Sequence, residues 1–187
     1  METSPPLSLA GTTVILLLLL SHISNVSGFN DVAEACKNII DKDGEDAGPT
    51  YEFCLTSLQV LTGAKHADLQ HIAFLSANLT VANATHTERI VKELSKNEKR
   101  NVVKAAYQTC MDCYDEIVQN ARTAANEILP NKNYVTANKV ISSAMSAVDN
   151  CKDEFDDSSV KSPIFKENND MHALLGILIR FIVKLQE

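Results

Sequence analysis

Apolar residues recur along this chain in steps of three and four, and almost nowhere in steps of two. The clearest run is Val103, Ala106, Cys110, Cys113, Ile117, Ala121, Ala124 and Ile128, which together make one stripe of a helix; Pro130 ends it. The stripe restarts at Tyr134 with Ala137, Ile141, Ala144, Val148 and Cys151. After the polar connector "DEFDDSSVKSPIFKENND", a last stripe holds Met171, Leu174, Leu178, Phe181 and Leu185. Upstream, residues 66 to 95 read as one helix of roughly 45 Å at 1.5 Å per residue. Leu69, Ile72, Ser76, Leu79, Asn83, Ile90 and Leu94 lie on or near its inward side. Val32, Ala35, Cys36, Ile39 and Ile40, the break "DKDGEDAGPT" and then "YEFCLTSLQVL" form a short helical hairpin. These patterns predict an all-α chain: a hairpin over residues 29–65, then an up-down-up-down four-helix bundle over 66–187 with short polar loops.

The first 28 residues follow another logic. The run "VILLLLL", Val14 to Leu20, leads into "SHISNVSGF", whose Val26 and Gly28 suit a cleavage site after Gly28. Residues 1–28 are therefore predicted to be a secretory signal, since a membrane span needs about 20 apolar residues. The later "LLGILIRFIVKL" carries Arg180 and Lys184 and is not expected to span either. A mature chain in the extracellular space or apoplast, or in the vacuole, follows, with no membrane contact after cleavage and freedom to form disulfides. Asn78 and Asn83 open the sequons "NLT" and "NAT" and are candidate glycan sites; Asn25 opens a third and leaves with the signal. Seventeen basic against 24 acidic residues give a net charge of −7. That balance argues against nucleic acid as a partner and suits a basic protein surface.

Five cysteines remain to be placed. Cys110 and Cys113 in "CMDC" have the spacing of a redox motif, but such motifs work with the first thiolate at a helix N-terminus, where backbone N–H groups lower its pKa. Here both lie in mid-helix on the apolar seam. The histidines show no paired spacing, so no metal site is expected, and no set of residues suggests catalysis or a cofactor. Five choices of odd thiol with three pairings each leave the bridges open. Cys36 and Cys54 sit on the two arms of the hairpin, and Cys151 can meet either Cys110 or Cys113 across antiparallel helices.

The segments "CMDCYDEI" and "NYVTANKVISSAMSAVDNCKDEF" resemble the plant inhibitor family that acts on invertase and pectin methylesterase. Cys110 and Tyr114, then Tyr134, Ala137 and Asn138, then Cys151 and Phe155 match the family pattern. "ACKNIID" with "YEFCLTSL" resembles its hairpin, "HADLQHIAFLSANL" its first long helix, and "SPIFKENND" the branch of "putative invertase inhibitors" that includes pollen allergens. The likeness runs from Ala33 to Leu185. It implies bridges Cys36–Cys54 and Cys110–Cys151 with Cys113 as the free thiol. It further implies an inhibitor domain over 29–187 that is not an enzyme and that docks over the active site of a protein partner.

The partner implied is invertase (β-fructofuranosidase), slightly favoured, or alternatively pectin methylesterase. In the family's invertase inhibitors a Pro-Lys-Phe motif opens the third bundle helix and enters the target. Lys132, Asn133 and Tyr134 stand there in this sequence, keeping only the aromatic, so they are candidate target contacts and also plain turn and core residues. Two other readings compete, an allergen-like member without inhibitory activity and a secreted helical ligand, although such ligands use long crossovers rather than short loops.

Overall fold

The computed structural model describes residues 31–40, 48–65 and 67–187. The predicted signal over residues 1–28, including Asn25, and His66 lie outside the described residues. Among the described residues are six α-helices and no strand. The hairpin is α1 (Val32–Ile39) and α2 (Tyr51–Leu58); the bundle is α3 (Leu69–Asn97), α4 (Asn101–Thr123), α5 (Tyr134–Asp157) and α6 (Phe165–Lys184). In the bundle α3 packs on α4, α4 on α5, α5 on α6 and α6 back on α3, while both hairpin helices lean on α6. No helix among the described residues is long and apolar enough to cross a membrane.

Side-chain acceptors set where the helices begin. Asp31, Thr50, Asp68 and Asn133 accept hydrogen bonds from the N–H of Ala33, Phe53, His71 and Thr136, satisfying donors that a helix N-terminus leaves open. At the α3–α4 turn the Glu98 carboxylate accepts from the Lys99 and Arg100 N–H groups and from the Arg100 guanidinium. The Arg100 side chain is the largest of the effects that hold the Glu98 carboxyl down at about 2. A carboxylate with a depressed pKa contributes stability that is fully present above its ordinary value of 4.5 and lost progressively as pH falls toward the lowered one, so in mildly acidic surroundings the Glu98 clasp stays ionised.

The seams of α4, α5 and α6 are buried as their spacing predicts, from Val103 to Ala124, from Ala137 to Cys151 and from Met171 to Phe181. Three details differ from the expected pattern. The buried side of α3 is Ile72, Ala73, Ser76, Ala77, Thr80, Ala84, Thr87 and Val91, whereas Leu79, Asn83 and Ile90 stand on its flank and Leu94 is exposed. Ser76, Thr80 and Thr87 tolerate the interior because each hydroxyl donates to the carbonyl four residues back, at 2.8, 2.9 and 3.0 Å.

The second difference is at the end of α4. Residues Ala124–Ile128 form a π-helical turn, in which the Leu129 N–H reaches the Ala124 carbonyl at 2.9 Å. The wider turn adds one residue to the helix, so Leu129 is buried where the seam places Ile128. Helix α6 also starts earlier than expected, at Phe165, which brings Asn168 into the core.

Asn168 joins three of the bundle helices, its own α6 with α4 and α5. Its Oδ1 accepts from the Tyr114 hydroxyl of α4 at 2.6 Å, and its Nδ2 donates to the Val148 carbonyl of α5 at 3.2 Å. Burial drives the Tyr114 phenol well above its ordinary pKa, so it stays a neutral donor. The hairpin is seated by a close approach: a Cβ at Gly176 of α6 would meet Pro49 at 3.3 Å, so glycine lets the start of α2 lie against the bundle.

Candidate functional site

The turn between α4 and α5 lies at the end of the bundle where α3 begins. Leu129, fully buried, pins it from below. The Lys132 N–H donates to the Leu129 carbonyl at 3.0 Å, and the Asn133 N–H to the Ile128 carbonyl at 3.2 Å. Lys132 has φ of 56°, in the left-handed region that non-glycine residues seldom occupy, and these two bonds hold it there. Asn131 ties its side chain to the Glu127 carbonyl at 2.6 Å, and Asn133 caps α5.

Gln70, in the first turn of α3, links this turn to the bundle. Its Nε2 donates to the Leu129 carbonyl at 3.2 Å, and its Oε1 accepts a long hydrogen bond from the Tyr134 hydroxyl at 3.4 Å. Tyr134 is half-buried, with its phenol pushed up by burial and by the Asp68 carboxylate. Lys132, Asn133 and Val135 are exposed. The structure therefore brings Lys132, Asn133 and Tyr134 together as a held, protruding turn, with the ring of Tyr134 anchored at one edge. Periodicity gives no hint of Gln70, because a polar residue beside a helix cap carries no stripe signal.

The cysteines sit elsewhere. Cys36 and Cys54 are bridged across the hairpin, with sulfurs 2.02 Å apart, and Cys110 and Cys151 across α4 and α5, with sulfurs 2.04 Å apart. Cys113 is a buried free thiol one turn from Cys110. Burial first, and then the nearby carboxylates of Glu116, Asp112 and Glu154, push this thiol up to about 11. A thiol so placed is the opposite of an activated nucleophile. The native protein should take up no thiol reagent at pH 7–8 and one equivalent after unfolding; rapid labelling of the folded protein would show an exposed, reactive Cys113.

Among the described residues no group of three or more His, Cys, Asp or Glu is placed to hold a metal ion. Asn78 is exposed on α3 and Asn83 half-buried, and each side chain bonds the carbonyl four residues back at 3.0 Å. The surface offers a shaped turn on a braced bundle.

The family model described as "Plant invertase/pectin methylesterase inhibitor" matches residues 30–179. The chain belongs to this family. Over 163 residues it is 26% identical to a protein named "Putative invertase inhibitor" from Platanus acerifolia, covering 87% of each chain. Over 143 residues it is 24% identical to a "Pectinesterase inhibitor" from Actinidia deliciosa, covering 76% of each. A crystal structure of a mutant form of a pectin methylesterase inhibitor from Arabidopsis superposes with a TM-score of 0.62 at 27% identity, covering 71% of this chain and 88% of that one. The family and these relatives are named as inhibitors rather than enzymes, and a plant invertase/pectin methylesterase inhibitor acts on a protein partner. In this family member the braced α4–α5 turn occupies the place where the sequence reading put the target contacts.

Proposed function

We propose that this chain is a secreted inhibitor that docks the α4–α5 turn, with Lys132, Asn133 and Tyr134, into the active-site cleft of a cell-wall or vacuolar invertase. The observation carrying this reading is the conformation of the turn. Lys132 is held at a positive φ, Leu129 is buried beneath it and Gln70 ties it to α3, so little ordering remains to be done on binding. The likeness to the Platanus protein supports invertase as the target. Pectin methylesterase is the second reading, favoured by the Arabidopsis structure at 27% identity. A signal over residues 1–28, the inhibitor domain over 29–187 and a glycan on exposed Asn78 complete the proposal; enzymatic deglycosylation of protein from plant cells should lower its mass.

A stoichiometric panel of acid invertases and plant pectin methylesterases at mildly acidic pH tests the target. Inhibition of invertase is expected, inhibition confined to pectin methylesterase would select the second reading, and no inhibition of either would refute both. Tyr134→Ala should weaken the complex roughly tenfold, the scale of a modest interface hot spot. Tyr134→Phe should retain most of the affinity because the ring still packs.

A further inference from the structure

The basic residues are distributed very unevenly. Between Glu88 and Lys104 stand six of the seventeen, Arg89, Lys92, Lys96, Lys99, Arg100 and Lys104, with three acids, giving +3 locally; the rest of the chain has eleven bases and 21 acids, or −10. All six are exposed. Two of the acids are already engaged, Glu93 with Lys96 at 2.6 Å and Glu98 with Arg100 at 2.8 Å. Arg89, Lys92, Lys99 and Lys104 have no carboxylate partner within 4.0 Å among the described residues. Arg89, Lys92 and Lys96 recur at steps of three and four, so they share the outward side of α3, and Lys99 and Lys104 carry the charge around the α3–α4 turn. The result is a basic corner on an otherwise acidic protein.

This corner lies toward the opposite end of the bundle from Lys132–Tyr134, about 30–40 Å away along α3 at 1.5 Å per residue. Its make-up favours one kind of occupant. Protein-interface cores are rich in aromatic residues and poor in lysine; this stretch has four lysines and no aromatic. Mobile ammonium groups on a convex helix and turn suit instead a hydrated, extended chain with regularly spaced charges. Removing methyl esters from pectin exposes one carboxylate per uronate unit and so creates such a polyanion. We infer that the corner formed by Arg89, Lys92, Lys96, Lys99 and Lys104 binds the carboxylates of a de-esterified polyuronate. The inhibitor would then be held on the acidic polymer of the wall by one end while the other stays free for its enzyme.

The inference is independent of which enzyme the turn blocks. It is tested by the affinity of the full-length mature protein for immobilised polygalacturonate and for highly methyl-esterified pectin, over a salt series. Binding to the de-esterified polymer is expected, weakening steeply with salt as counterions are displaced. Arg89→Ser/Lys92→Ser/Lys99→Ser should weaken it at least tenfold and flatten the salt dependence. Lys37→Ser/Lys139→Ser/Lys161→Ser, which makes the same change in net charge elsewhere, should change it less than twofold. Circular dichroism and the melting temperature verify that both variants are folded. Absence of binding, equal binding to the methyl-esterified polymer, or equal loss in the two triple variants would overturn the assignment. Inhibition measured without polymer should be unchanged by the first triple variant, so failure of this inference and failure of the inhibitory reading are told apart.

Discussion

Cys110→Ser should lower the stability of the protein by about 4 kcal/mol, the loop-entropy value for a bridge between residues 41 apart in sequence. For a domain of this size that corresponds to a fall of about 10–15 °C in melting temperature. Cys113→Ser should change stability by less than about 1 kcal/mol, because it exchanges one small buried group for another and breaks no bond. The comparison is informative because Cys113 is one helical turn from Cys110 and could compete for Cys151. If Cys113 took over the bond in the Cys110→Ser variant, the loss would be small and nonreducing peptide mapping would return a Cys113–Cys151 peptide. The double variant Cys110→Ser/Cys113→Ser removes that escape and should show the full loss by denaturant titration.

Asn168→Ala should cost about 2–4 kcal/mol. Only one side chain is shortened, but two buried polar contacts are lost, and the Tyr114 hydroxyl and Val148 carbonyl lose their partner on α6. Tyr114→Phe should cost about 1–3 kcal/mol, since it strands the Asn168 Oδ1. The Tyr114→Phe/Asn168→Ala double variant should cost clearly less than the two single losses together, because both remove the same bond. Additive losses would show that the Tyr114–Asn168 contact contributes nothing of its own. Equilibrium denaturation of the four proteins in the cycle measures the coupling.

How legible these features were depended on how each residue contributes to the core. The seams of α4, α5 and α6 could be read because apolar residues, small or large, recur there in unbroken steps of three and four between polar ones. The inward side of α3 was legible only at Ile72 and Ser76, since most of the rest is alanine and threonine, whose hydroxyls are satisfied within their own helix and look polar in sequence. Leu79 and Ile90 drew the stripe toward the flank instead. Ile128 was one position off because a π-helical turn has no sequence mark comparable to a proline. Polar residues that bridge elements, Gln70 and Asn168, carry no periodic signal at all; only their partners in space identify them. Lys132, Asn133 and Tyr134 were found by resemblance, while the backbone geometry that makes them a held turn became visible only in three dimensions. The bridge partner of Cys151 was likewise undecided by helix spacing, since Cys110 and Cys113 share one side of α4.

The extra residue in the Ala124–Ile128 turn also sets a direction. Each α-helical residue advances by about 100°. Had α4 run regularly to its end, everything after Ile128 would leave the helix rotated by roughly that angle, and Tyr134 would no longer stand in register with Gln70 of α3. The single added residue thus acts as a phase shifter between scaffold and turn, and relatives that gain or lose one residue there would aim the same side chains at a different part of a target.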